Sequence, residues 1–344
     1  MLYLLVGFVV WAGCATTHKN ENRSVSISTA EEPTSRLFGI AVGPSSQDYS
    51  EALKDSAEAG SQIFEIPQQW REYELAENRQ LLAMLNRLVP SQSLKAVLTL
   101  NPLDTSHNQI PDSLRELPYD APEMIESFTK FVDSTFERLP DVEILSVAVG
   151  NEVDILLGDG EEDWASYTRF FEQARLHIRK TRPQLPVGVK ITYNGLHKYP
   201  ERSRRLIEKS DLVMLTYYPI DADRVRPVEA VSSDLKWLCE NFPKKRIQLN
   251  ELGYPSSAAL GSSEQIQADF TKQALEAWDG LPQIELMNFV WLNEMTPTTV
   301  KQLKSEFAEN APIVNFLSTL GLRDHHGKPK PAFLRLVAEW KKRR

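Results

Sequence analysis

Along residues 36–294, short apolar runs alternate with longer stretches whose apolar positions recur every three or four residues. The runs are "RLFGIAVG", "SQIFEIP", "LKAVLTLN", "EILSVAVGNE", "PVGVKITYN", "DLVMLTYYP", "RIQLNELGYP" and "IELMNFVWLNE". They are close to continuous in apolar character, the mark of parallel strands buried on both faces. Between them, stretches such as "DYSEALKDSAEAG", "NRQLLAMLNRLV", "EMIESFTKFVDSTFERL", "WASYTRFFEQARLHIRKT", "EAVSSDLKWLCENF" and "EQIQADFTKQALEAW" carry the helical period. Eight strand–helix units in roughly 300 residues predict an α/β fold, a single (β/α)8 barrel. The competing architecture, a doubly wound open sheet, favours a Gly-rich phosphate turn after an early strand. The sequence contains neither G-x-G-x-x-G nor a P-loop.

The first residues follow another rule. "LYLLVGFVVWAG" is an apolar run too short to span a bilayer and suited to a signal h-region. It stops at Cys14, and "WAGC" resembles the lipobox of bacterial lipoproteins, in which the Cys is lipidated and becomes the mature N-terminus. Residues 15–35 are polar and aperiodic and read as a flexible tether. The expected organisation is a signal segment over 1–14, a tether over 15–35 and a catalytic barrel over 36–344. By the resemblance, the protein is expected in the cell envelope, on the outer membrane of a Gram-negative host, or secreted. The other cysteine, Cys239, lies on the apolar side of a predicted helix, and one Cys in the mature domain makes no internal disulfide.

In a (β/α)8 barrel the chemistry sits at the C-terminal ends of the strands. Those ends present Pro67 to Trp70, Asn101, Asn151 and Glu152, Tyr193 and Asn194, Tyr217 and Tyr218, Glu251 and Tyr254, then Trp291, Asn293 and Glu294. Asn-Glu closes the fourth, seventh and eighth runs. Aromatic rings mixed with Asn and Glu suit a carbohydrate, whose C–H faces stack and whose hydroxyls hydrogen-bond. Glycoside cleavage with retention needs two carboxyl groups about 5–5.5 Å apart. Strands four and seven nearly face each other across the ring, so Glu152 and Glu251 can meet over its mouth.

These motifs resemble clan A of the retaining β-glycosidases. "AVGNEV" looks like the acid/base motif of the endo-β-1,3-glucanases, and "ELGYPS" is similar to their nucleophile motif. "YYP" and "FVWLNE" match their sixth and eighth strands. Endo-β-1,4-galactanases of the same clan share several of these elements. Where the glucanases carry an Arg after the second strand, this chain has "FEIPQQW", which leaves the sugar open. The resemblance implies a β-linked polysaccharide or oligosaccharide substrate, β-1,3-glucan first and β-1,4-galactan second. It implies Glu152 as acid/base, Glu251 as nucleophile and Asn151 on the sugar 2-OH. Tyr218, or its neighbour Tyr217, would hold the nucleophile. Trp291 would floor the site, and Tyr254, Glu294, Asn101 and Trp70 complete the set of expected substrate contacts. A glucan transglycosylase would use the same residues, and a lipid-tethered sugar-binding barrel could dispense with one of the carboxylates.

Charge and the remaining motifs narrow the classes. A formal net charge of −8 argues against nucleic acid, and the terminal "KKRR" reads as a solvated tail. The six His form no H-x-H after the first strand and no H-E-x-x-H, so no metal or cofactor is expected. "GDGEEDW" lacks calcium-loop spacing and reads as a loop entering a helix, whose dipole favours the acids. His325 and His326 are expected in a turn, Trp237, Trp278 and Trp340 in the core, and the protein as a monomer.

Overall fold

Each of the eight apolar runs forms a strand in the computed structural model, which describes residues 36–43, 48–221, 223–307 and 311–344. The strands are β1 (Leu37–Ile40), β2 (Ile63–Gln69), β3 (Lys95–Asp104), β4 (Ile144–Asn151), β5 in two pieces (Val187–Gly188 and Lys190–Thr192), β6 (Val213–Tyr217), β7 (Ile247–Leu252) and β8 (Ile284–Phe289). Their pairing is parallel throughout, and it runs from the first piece of β5 through β4, β3, β2, β1, β8, β7 and β6 to the second piece of β5. Both ends of the path belong to one strand, so the sheet closes on itself as a (β/α)8 barrel. The expected signal segment, Cys14 and the tether lie outside the described residues.

The predicted helices form at Tyr49–Glu58, Ala76–Ser91, Pro122–Glu137, Glu161–Thr181, Ala230–Asn241 and Glu264–Asp279. Three acids of "GDGEEDW", Glu161, Glu162 and Asp163, occupy the first turn of Glu161–Thr181, as the dipole favours. Further helices stand at Pro200–Lys209, Pro297–Glu306, Ala311–Ser318 and Pro331–Lys341. Three of these begin at a proline, whose missing N–H costs nothing there.

Three apolar clusters hold the fold. The largest packs the outer faces of the strands against the helices and takes in Trp278 and Trp340, with Trp237 and Cys239 half-buried against it. Ile63, Val97, Ala148, Met214 and Leu286 come from five different strands and touch one another, so they plug the barrel interior. A satellite cluster centred on Ile313, Phe316, Leu317 and Leu320 lies beyond the ends of β6–β8 and backs Tyr218 and Trp291. His325 and His326 lie in a turn, as expected, closed by backbone N–H groups of His326 and Lys328 on Asp324 Oδ1.

Candidate active site

The end of β4 is built for one side chain. Gly150 has φ +87°, and a Cβ there would lie 2.4 Å from Val153 Cγ1 and 2.5 Å from the Tyr167 hydroxyl, so only glycine fits. Two residues on, Glu152 turns left-handed, with φ 47° and ψ 44°. Thr105, after β3, is left-handed too (φ 56°), and its N–H donates to Asn151 O. Such backbone costs about 1–3 kcal/mol per residue and clusters at functional sites. Here it aims Glu152 into the barrel, where it is 4% exposed. Thr216 Oγ1 donates to its Oε1 at 2.6 Å and Thr105 Oγ1 to its Oε2 at 2.9 Å.

The end of β7 differs. Its register slips against both β6 and β8 around Asn250 and Glu251, an irregularity that re-aims side chains. Glu251 keeps its side chain 22% exposed. Tyr218 Oη donates to Glu251 Oε2 at 2.7 Å, and Lys190 Nζ stands 3.7 Å from Oε1. Thr216 lies beside Glu251 in register while bonding Glu152, so β6 ties the two ends together.

Burial and then the charge of Glu251 push the Glu152 carboxyl well above the usual carboxylate range, against the pull of Thr216 and Thr105. Burial raises Glu251 as well, but Lys190 and the Tyr218 hydroxyl oppose the rise. Two facing carboxyls do not both ionise freely. The shared proton therefore rests on Glu152, the more deeply buried and the farther from a cation.

Around this pair stand Asp104 and Asp154, which strand-end reading passed over, and Asn151, which it named. Asp104, at the end of β3, accepts from Gln69 Nε2 at 2.8 Å and from Asn151 Nδ2 at 3.0 Å. Asn151 Oδ1 is buried with no partner among the described residues. Asp154 is buried behind Glu152, anchored by the N–H and hydroxyl of Thr192, and burial raises it to about 6. Glu65 and Lys190, paired with each other beside Glu251, were also passed over; their visible signal is charge inside an apolar run, as in "IFEIP" and "VKITY".

The expected contacts separate into two groups. Asn151, Tyr218, Trp291 and Glu294 stand half-buried at the strand ends. Trp291 lies against Gly43, where a Cβ would come within 2.4 Å of its ring. Glu294 Oε1 accepts from the buried Lys330 ammonium at 2.9 Å. The other four turn into the protein. Tyr217 is fully buried and donates to Asp234 Oδ2, which Arg226 also grips. Its side chain points to the opposite face from that of Tyr218, as neighbours near a strand end do. Trp70 is 0% exposed among Phe128, Phe131 and Phe170. Tyr254 stacks on Phe270 and donates to Arg226 O. Asn101 is buried within β3, three residues short of the strand's end at Asp104.

No family model and no curated protein matches the sequence. Solved structures do resemble the fold. One is a GH5_18 protein of Streptomyces cattleya in complex with Manβ1-4GlcNAc, with a TM-score of 0.72 at 15% identity over 90% of this chain and 81% of that one. A GH5_18 protein of Bifidobacterium longum, also with Manβ1-4GlcNAc, gives 0.71 at 13% over 89% and 78%. An exo-β-1,4-mannosidase from an Opitutaceae bacterium gives 0.70 at 14% over 92% and 62%. At these identities the likeness is one of fold.

Proposed function

We propose that the protein is a retaining β-glycoside hydrolase in which Glu251 is the nucleophile and Glu152 the acid/base. The observation that carries this is the unequal treatment of two facing carboxyls: one buried on two hydroxyls, the other between a phenol and an ammonium. Environments that push two titratable groups apart assign acid and base. In the first step a Glu251 oxygen bonds the anomeric carbon as the glycosidic C–O bond breaks, and the Glu152 proton goes to the leaving oxygen. In the second, Glu152 takes a proton from water, whose oxygen displaces Glu251 from the sugar. Asn151, fixed on Asp104, lies beside the acid/base where a sugar 2-OH would be held, and Trp291 offers a stacking face.

The substrate is a β-linked saccharide. Sequence motifs favour β-1,3-glucan, then β-1,4-galactan; the names of the fold relatives favour β-mannosides. A panel of aryl β-glucoside, aryl β-mannoside, Manβ1-4GlcNAc, laminarin and β-1,4-galactan, followed by NMR of the first-formed anomer, tests the reading. Turnover with retention is expected; inversion, or no turnover across the panel, overturns it. Lipidation of Cys14 belongs to the same proposal, on the strength of "WAGC". Palmitate label is expected on the parent and absent from Cys14→Ser; equal labelling of both refutes it.

A further inference from the structure

Lys190 lies in the second piece of β5 and is 1% exposed. An ammonium buried to this extent persists only if it is paired. Glu65 of β2 pairs with it through Oε1, and Thr99 Oγ1 donates to that same oxygen at 2.7 Å. Glu65 alone would satisfy the charge. Yet the chain leads the ammonium to within 3.7 Å of Glu251 Oε1, on the side of the carboxylate that Tyr218 leaves free.

We propose that Lys190 is the positioning cation of the nucleophile: anchored by Glu65, it stands against Glu251 Oε1 while Tyr218 holds Oε2, so the carboxylate is gripped at both oxygens and kept ionised for attack. This rests on the reading of Glu251 as nucleophile. The groups that bear on Glu251 come from five directions: Glu65 on β2, Asp104 at the end of β3, Glu152 after β4, Lys190 on β5 and Tyr218 after β6. Four are acids or a phenol. Lys190 supplies the attraction that offsets three neighbouring carboxyls, and Glu65 determines how much of that charge reaches the nucleophile.

The acid limb of kcat/KM reports the nucleophile in the free enzyme. An opposite charge at this range lowers a carboxyl pKa by about 1–3 units. Lys190→Met is therefore expected to move the acid limb up by about 1–3 units. Glu65→Gln removes a repulsion and frees the ammonium, so the limb moves down. The double variant Glu65→Gln/Lys190→Met removes both members of the buried pair, so neither is left without the other, and its limb stays above that of the parent. A structural role for the pair would not move the limb in opposite directions. A limb unchanged in folded Lys190→Met, or in the double variant should Lys190→Met fail to fold, overturns the proposal. Carboxyl ¹³C NMR titration of Glu251, assigned by its loss in Glu251→Gln, reads the same shift without substrate. A parent inert on every glycoside would thus sink the hydrolase reading, while an unmoved titration would sink the role of Lys190.

Discussion

The ends of β4 and β7 begin from the same dipeptide and finish as opposites. Asn151-Glu152 enters a left-handed turn that drives the carboxyl into the barrel, onto two threonine hydroxyls. Asn250-Glu251 meets a slipped register that leaves its carboxyl half-open, between a phenol and an ammonium. A buried carboxyl without a cation holds its proton; one beside a cation gives it up. In the proposed mechanism, identical side chains thus take the roles of acid and nucleophile from backbone geometry and neighbours.

The contrast should break most sharply at Glu251, the proposed nucleophile. Glu251→Ala should remove turnover by many orders of magnitude, because the covalent step loses its nucleophile. With azide it should yield an α-glycosyl azide, seen by NMR. Next comes Glu152→Ala. It should lose roughly 10²–10⁴-fold on substrates whose leaving group needs a proton. It should remain fast in glycosylation with an activated aryl glycoside, and azide should then give the β-glycosyl azide. If the two variants gave the same azide anomer, the two ends would not differ as argued.

Tyr218→Phe removes a hydrogen bond to a charged group, about 1.5–3 kcal/mol, hence about a ten- to hundredfold loss in kcat/KM. Because the phenol favours the ionised form of Glu251, the acid limb should also move up in pH. Thr216→Val acts on the other end. Its hydroxyl holds the Glu152 pKa down, so its loss should raise that pKa and move the basic limb up, with only a few-fold change in kcat, roughly one neutral hydrogen bond. Basic-limb movement in Tyr218→Phe with none in Thr216→Val would reverse the assignment. The smallest effect belongs to Tyr217→Phe. Its hydroxyl bonds Asp234, away from both carboxyls, so KM and kcat should hold while stability falls by about 1 kcal/mol in denaturant melts.

The eight strands were legible because parallel strands covered on both faces must be apolar nearly throughout, and that leaves continuous runs in any single sequence. Six helices were legible by period; the shorter helices Pro200–Lys209, Pro297–Glu306 and Pro331–Lys341 were not among them. That Glu152 and Glu251 would meet at the barrel mouth was legible because the ends of facing strands converge there, and each stands at one. What lay beyond the sequence was direction and company. Tyr217 and Tyr218 are adjacent, and only the way β6 packs sends the first to Asp234 and the second to Glu251. Trp70 follows a strand end yet is claimed by a phenylalanine cluster on two helices. Lys190 and Glu65 are 125 residues apart, and closing the ring is what brings them together beside Glu251. Local pattern specifies an element because period and capping act within a few residues; the protonation of a carboxyl is set by charged and hydrogen-bonding groups arriving from five strands, and only the closed barrel assembles those.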